Sequence, residues 1–393
     1  MHDAGPPKSR GKLERALVAL LLGQLVGTGV LFPYYAFARQ DAWGLRLFAL
    51  ALAGLGVAAV AGVWRRAPWA LWAVVVLVAL KLVVDVFNYA LDLDRPLLPL
   101  STALNAAILA IAFRLARPIG VAVSGGQRAF FACVLALAAW VAARGLFDPA
   151  RLAATIPLDV PPLHSRFLGA MYLSGATFML LAIRARAWRE VRIVVVMAAV
   201  WTGMLGLVSL RILGAFDWSR PQTWTWFVAY SAFPLVAAWI AWRQRGVVAG
   251  GPAAAPAAGA GTVPAAGDAP LSAPLRAYLW VQGALVALLA LALLAAPAAM
   301  SAGWPWPITA PLAQVYSAPF LAYGLGSLMA ARARALGEVR IALIATVVFT
   351  AAVLAASALH RALFDAGDPA TWLWFGGFGL ATAVLLRYVL ARR

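Results

Sequence analysis

The sequence predicts an all-α integral membrane protein of about twelve transmembrane helices, with both termini in the cytoplasm. Three observations predict it: an apolar composition, a one-sided distribution of basic residues, and an internal repeat four helices long. The 393 residues are 64% hydrophobic and 12% charged, with a mean hydropathy of +0.87. Ordinary soluble domains are about 45–50% apolar and about 25% charged. No soluble interior of this size holds so much apolar surface, so lipid is the solvent for most of it.

Apolar runs of about 20 residues, the length that crosses a bilayer core, read as spans at 17–37, 43–64, 69–91, 101–115, 129–146, 167–183, 193–213, 224–242, 277–298, 311–331, 341–363 and 372–390. The first follows a basic start (Lys8, Arg10, Lys12, Arg15) and ends near Ala36-Phe37-Ala38, which together have features of a signal peptide. Its apolar run is longer than the about 7–15 residues of a signal core, so it reads as an uncleaved span. The second closes on Arg65-Arg66, the third carries Lys81 and Asp85, and the fourth is the shortest. Spans five to eight form a middle set. Between 246 and 274 runs an Ala, Gly and Pro tract in which Pro252, Pro256, Pro264 and Pro270 interrupt any helix. It reads as a disordered cytoplasmic linker to the last four spans.

The basic residues test this map. With the N-terminus inside, 22 of the 32 Lys and Arg residues fall in cytoplasmic segments and nine on the opposite face, with Lys81 within a span. Such an excess orients helices in the membrane, and a missed helix would invert the pattern downstream. The net charge of +18 therefore belongs to short loops, and nucleic acid is excluded as a partner. Trp218, Trp224, Trp226, Trp304, Trp306, Trp372 and Trp374 cluster at the outer ends of spans and read as an interfacial belt. Lys8, Lys12 and Lys81 are the lysines among many arginines, a bias that suits a bacterial inner-membrane protein from a GC-rich genome.

The repeat appears when residues 128–245 are shifted by 148 onto 276–393 without a gap. Arg184, Arg186, Glu190 and Arg192 meet Arg332, Arg334, Glu338 and Arg340. Asp217, Pro221, Trp224 and Trp226 meet Asp365, Pro369, Trp372 and Trp374 within a shared Phe-Asp-x-x-x-Pro-x-Thr-Trp-x-Trp-Phe pattern. The organisation expected is a diverged four-helix repeat at 1–118, a repeat at 127–245, the linker at 246–274 and a repeat at 275–393. In the diverged copy Arg46, Asp92 and Pro96 lie near Arg166, Asp217 and Pro221 once an insertion is allowed. Four helices return the chain to one side, so the copies are parallel, and three of them suggest a pseudo-threefold array. The repeated motifs read as structural: basic anchors with a local Glu–Arg pair in one turn, and helix-start chemistry around the prolines in the other.

Ionisable groups within spans mark candidate sites. Lys81 and Asp85 are four apart on one helical face and can pair, with Asn88 just beyond. The equivalent helices of the other copies turn polar at Ser209 and Arg211, and at Ser357, His360 and Arg361. Together these eight residues are the candidate lining of an outward-facing polar cavity, although Arg211 and Arg361 also suit headgroup contact. His164 reads as an external loop residue. Cys133, the one cysteine, sits within a span and leaves no disulfide or thiolate cluster.

No metal, cofactor or ATP site is expected. Haem-copper oxidases need several intramembrane histidines, which are not convincingly present. No Gly-Lys-[Ser/Thr] phosphate loop or Gly-x-Ser-x-Gly elbow occurs, and 121–127 is a loop without a flanking strand. Major-facilitator transporters match in helix count alone, since their long loop follows the sixth span rather than the eighth. Three functional readings follow. The leading one is a permease or secondary transporter for a small molecule or ion. The others are a non-catalytic protein that assembles with a membrane partner, and an enzyme acting on lipid-linked substrates at the external face. The enzyme is the weaker class.

Overall fold

The computed structural model describes residues 8–38, 43–91, 98–116, 121–157, 161–245 and 269–391. The first helices are α1 (Lys8–Val26), which runs through a π turn (Gly27–Leu31) into α2 (Phe32–Ala38), then α3 (Trp43–Trp64), α4 (Ala70–Ala90) and α5 (Leu98–Leu115). The middle set is α6 (Gly125–Phe147), the short α7 (Pro149–Thr155), α8 (Pro162–Arg184), α9 (Trp188–Arg211) and α10 (Pro221–Arg243). The last is α11 (Ala273–Ala295), the short α12 (Pro297–Ala302), α13 (Ala310–Ala331), α14 (Leu336–Leu359) and α15 (Pro369–Leu390). No strand occurs among the described residues, only two isolated bridges. Asp92 and Pro96 lie outside the described residues.

Eleven of these helices are long and apolar enough to cross a membrane, the first being the continuous rod Gly11–Ala38. The expected span at 311–331 is the exception. Its helix, α13, has 22 residues, about 33 Å at 1.5 Å per residue, so its length is sufficient. Gln314, Ser317, Pro319, Gly324, Gly326 and Ser327 lower its hydropathy, and all but Gln314 are buried. A helix enclosed by other helices is free to carry small and polar residues because lipid does not meet them.

Local chemistry sets the helix ends. Ser124 caps α6 in a reciprocal box, its Oγ accepting from Gln127 N–H (3.3 Å) while Gln127 Oε1 accepts from Ser124 N–H (2.7 Å). Gly125 to Gln127, expected in a loop, are thus the first turn of a helix. Asp148, Thr309 and Asp368 cap α7, α13 and α15. Arg114, Arg144, Arg184, Arg211, Arg243 and Arg387 occupy last turns, where a cation favours the helix dipole. The π turn lies just before Pro33, whose ring and missing N–H disturb the ladder around Gly29.

The bounds of α6 and α11, of α9 and α14, and of the 3₁₀ turns Leu213–Ala215 and Arg361–Leu363 all differ by 148. So do the bridges Ala122↔Ala187 and Pro270↔Ala335. The second bridge corrects the linker expectation at its end. Residues 246–268 lie outside the described residues, but Ala269 O accepts from Leu336 N–H (2.8 Å) and Leu271 N–H donates to Arg334 O (3.2 Å). The turn between α13 and α14 has backbone groups that no helix satisfies, and this extended stretch pairs with them.

The chain divides into two units, Met1–Pro118 with Trp224–Arg243, and Ile119–Thr223 with Gln244–Arg393. Sequence matching put α10 with 127–245, but it groups with α1–α5. Its Trp239 packs edge-on against Trp72 (6.4 Å) and Phe113 (5.1 Å), Trp224 lies 4.6 Å from Phe87, and Trp242 Nε1 donates to Phe113 O (2.8 Å).

In the second unit α6 packs on α8 and α11 on α13, while α8 meets α14, α9 meets α13, and α9 meets α14. The second helix of each set thus lies on the third helix of the other. Such reciprocity is twofold in kind, since a threefold array uses each face once, so the threefold expectation is corrected for these two sets. Ser174 Oγ donates to Ala345 O (2.6 Å) and accepts from Tyr323 O–H across this contact.

The backbones of α6 and α8 approach closely at two glycines. A Cβ on Gly145 would fall 2.5 Å from Ser165 O, and one on Gly169 would fall 2.8 Å from Gly145 C. Since backbone rather than a flexible side chain would have to move, Gly169→Val is expected to destabilise the unit by about 1–3 kcal/mol. Gly175→Ala, whose Cβ would meet ordinary contacts at 3.8 Å, is expected to leave stability unchanged or slightly raised. Thermal unfolding in detergent checks the pair.

Candidate functional site

Lys81 and Asp85 sit on one face of α4, about 6 Å apart along its axis, and are 8% and 6% exposed. They form the expected ion pair, Lys81 Nζ donating to Asp85 Oδ1. Three further side chains complete it. Ser101 Oγ, on α5, accepts from Lys81 Nζ (3.0 Å) and donates to the Asp85 carboxylate (2.9 Å). Asn105 Nδ2, one turn further along α5, donates to Asp85 Oδ2 (2.9 Å). Gln24 Nε2, on α1, donates to Asn105 Oδ1 (2.6 Å). A buried pair is stable only when its remaining donors and acceptors are satisfied in this way.

Sequence reasoning missed Gln24, Ser101 and Asn105. The signal was present for two of them: Ser101 and Asn105 are four apart, as Lys81 and Asp85 are, so both helices present matching polar faces.

The network borders a cavity of about 190 Å³ whose lining includes Gln24, Gly27, Lys81, Asp85, Asn88 and Ser101. Gly27 and Leu31 of the π turn, and Phe32 after it, are among its walls. Gln24 is buried, and its Oε1 has no hydrogen-bond partner among the described residues.

The other expected cavity residues belong to the second unit and are not part of this lining. Ser209 is buried with its Oγ bonded to Leu205 O (2.7 Å), and Arg211 is exposed at the end of α9. Ser357 is buried and accepts from Trp374 Nε1 (3.0 Å). Arg361 is exposed in its 3₁₀ turn, and His360 Nε2 accepts from Arg166 Nη1.

The repeated motifs make helix-end bonds and ring contacts. Asp217 Oδ1 accepts from Ser219 O–H (2.6 Å) and N–H (2.9 Å), and these bonds hold its carboxyl below the usual range. Asp365 Oδ1 accepts from Gly367 N–H (2.8 Å). Pro221 and Pro369 open α10 and α15. Trp226 stacks edge-on with Tyr230 (4.5 Å), and exposed Trp372 bonds Ala366 O (2.9 Å). In the other turn the expected local Glu–Arg pair is replaced by two contacts: Glu190 accepts from Ala187 N–H (3.0 Å), and Glu338 pairs with Arg192 of the other set (3.4 Å). A glutamate at the third helical position reaches back to free N–H groups more readily than forward to an arginine.

The tryptophan belt needs correction too. Trp304, Trp306 and Trp374 are buried in one cluster, with ring centres 4.6–5.5 Å apart. Phe167 and Tyr316 join it. His164 is not in a loop but buried in the first turn of α8. Its Nε2–H donates to Pro307 O (3.2 Å), and its Nδ1 is hydrogen-bonded to the Tyr316 hydroxyl.

These features define a polytopic α-helical membrane protein with a polar site inside one unit. Comparison with protein-family models, curated proteins and solved structures finds no match for the chain.

Removing one partner of the buried pair leaves the other charge uncompensated. Asp85→Ala is expected to destabilise the fold by about 3–5 kcal/mol, and Lys81→Met with Asp85→Asn to recover most of that loss. Unfolding by titrated denaturing detergent measures both. A second expectation concerns His360, whose pKa is lowered by burial and by the neighbouring Arg166 guanidinium. The unfolded chain then takes up the proton first, so this stability is full above about pH 6.5 and declines as pH falls towards the lower folded value. His360→Gln is expected to remove that decline from a pH series of unfolding midpoints.

Proposed function

We propose that the protein is a permease for a small polar solute or ion in a bacterial inner membrane, binding it at the Lys81–Asp85 cavity. One observation carries the reading: a charged, hydrogen-bonded network borders an open volume within a helical unit. A pair serving only to fix helix packing needs no cavity beside it. At about 190 Å³ the space is below the about 300–1,000 Å³ of pockets for drug-sized ligands, which suits a compact solute.

Topology supports the same reading. The lining comes from the later turns of α4 and the first turns of α5, which the basic-residue asymmetry turns outward. In this proposal 127–245 and 275–393 are two parallel four-helix repeats, 1–118 is a diverged third, and both termini are cytoplasmic. Neither later copy carries a Lys–Asp pair in its third helix, so the proposed site belongs to the first copy alone.

The test is electrogenic or radiolabelled uptake in proteoliposomes, with a panel of inorganic ions, small carboxylates, amines and amino acids. Flux of one probe class is expected, lost in Asp85→Asn and in Lys81→Met; the charge-balanced double variant, which recovers most of the stability, is expected to lose it too. Flux unchanged in both variants, or none for any probe, overturns the proposal.

A further inference from the structure

We infer that the Lys81–Asp85 cavity takes a small zwitterion, a solute carrying one carboxylate and one ammonium a few ångströms apart, as an α-amino acid does. This deepens the permease reading and rests on its site. The argument begins with charge balance. Among the described residues, Lys81 and Asp85 are the charged side chains of the lining, and they neutralise one another. A lone anion drawn to Lys81 must displace Asp85 and leave it buried without its cation. A lone cation at Asp85 strands Lys81 in the same way. Either exchange trades one satisfied charge for an unsatisfied one, in surroundings where that is costly.

A zwitterion avoids the trade. Its carboxylate takes Lys81, its ammonium takes Asp85, and every charge keeps a partner. The side chains suit such an insertion. Asp85 stays anchored by Ser101 and Asn105 when Lys81 leaves, whereas Lys81 stands on a flexible four-carbon stem that can swing aside. An ammonium brings three donors. Gln24 Oε1, an acceptor with no partner among the described residues, and the half-buried Asn88 stand in the same lining to receive what Asp85 does not. The remaining walls, with Leu31, Phe32, Leu98 and Leu104 among them, fit a short aliphatic side chain.

The experiment is calorimetric binding to the purified full chain in nanodiscs, using alanine, propionate, ethylamine and propionamide. All are small solutes, and they differ in which charges they carry. Alanine is expected to bind at least about tenfold more tightly than each of the others, the ratio equivalent to about 1.4 kcal/mol. Asp85→Asn, which frees Lys81, is expected to shift preference to propionate; Lys81→Met is expected to shift it to ethylamine. The double variant keeps the charge balanced, so it folds if a single one fails, and it is expected to lose the preference for alanine. A one-charge or neutral analogue binding as well as alanine overturns the inference, as does no alanine binding or a preference that survives in the double variant. Uptake separates the two claims. Alanine bound but not carried leaves the zwitterion site standing and removes the permease. Pair-dependent flux of propionate or ethylamine does the reverse.

Discussion

Hydrocarbon offers no water to a backbone N–H or C=O, so each must find its partner within the chain. That constraint explains why the described residues fold into helices with two bridges and no sheet. It also explains why the exceptions cluster. The π turn before Pro33, the capped turns around Asp217 and Asp365, and the paired stretch at Ala269–Leu271 each lie at a cavity, a helix end or against another backbone segment. With the backbone settled, helix association depends on close packing rather than on the hydrophobic effect. The contact at Gly145 and Gly169, and Gly326 set against Met197 Sδ, show what that requires.

Much of the fold was legible because the bilayer imposes length and apolarity on each span. The spans at 43–64, 69–91 and 129–146 match α3, α4 and α6 to within a few residues. What the bilayer does not impose was harder to read. Hydropathy reports the average coat of a helix, so α13, enclosed by protein, is judged poorly by it. A tryptophan near a helix end has the same residue type whether it meets a headgroup or another ring, and Trp304, Trp306 and Trp374 chose rings. Matching by offset placed α10 with its own segment, but its Trp224 and Trp239 face partners on α3, α4 and α5 that the offset does not describe.

The candidate site shows the same division. An ion pair within one helix is readable because helical geometry alone brings residues four apart together. Its companions on α1 and α5 depend on which faces meet. The eight-residue cavity expected from equivalent helices therefore reduces to Lys81, Asp85 and Asn88, and gains Gln24 and Ser101 at its walls with Asn105 behind them. Equivalence in sequence put polar residues at matching depths, but packing decided which of them share a space.

The membership of α10 in the first unit bears on how the molecule is made. Ribosomes deliver about 5–20 residues per second, so the helix that covers Trp72, Phe87 and Phe113 emerges roughly 5–20 s after α5 is complete. During that interval α6 to α9 must be threaded into the bilayer, and the aromatic face of the earlier helices is open to lipid or to a chaperone. The unit that holds the ion pair is thus completed late in synthesis, and its maturation is tied to the successful insertion of helices that belong to the other unit.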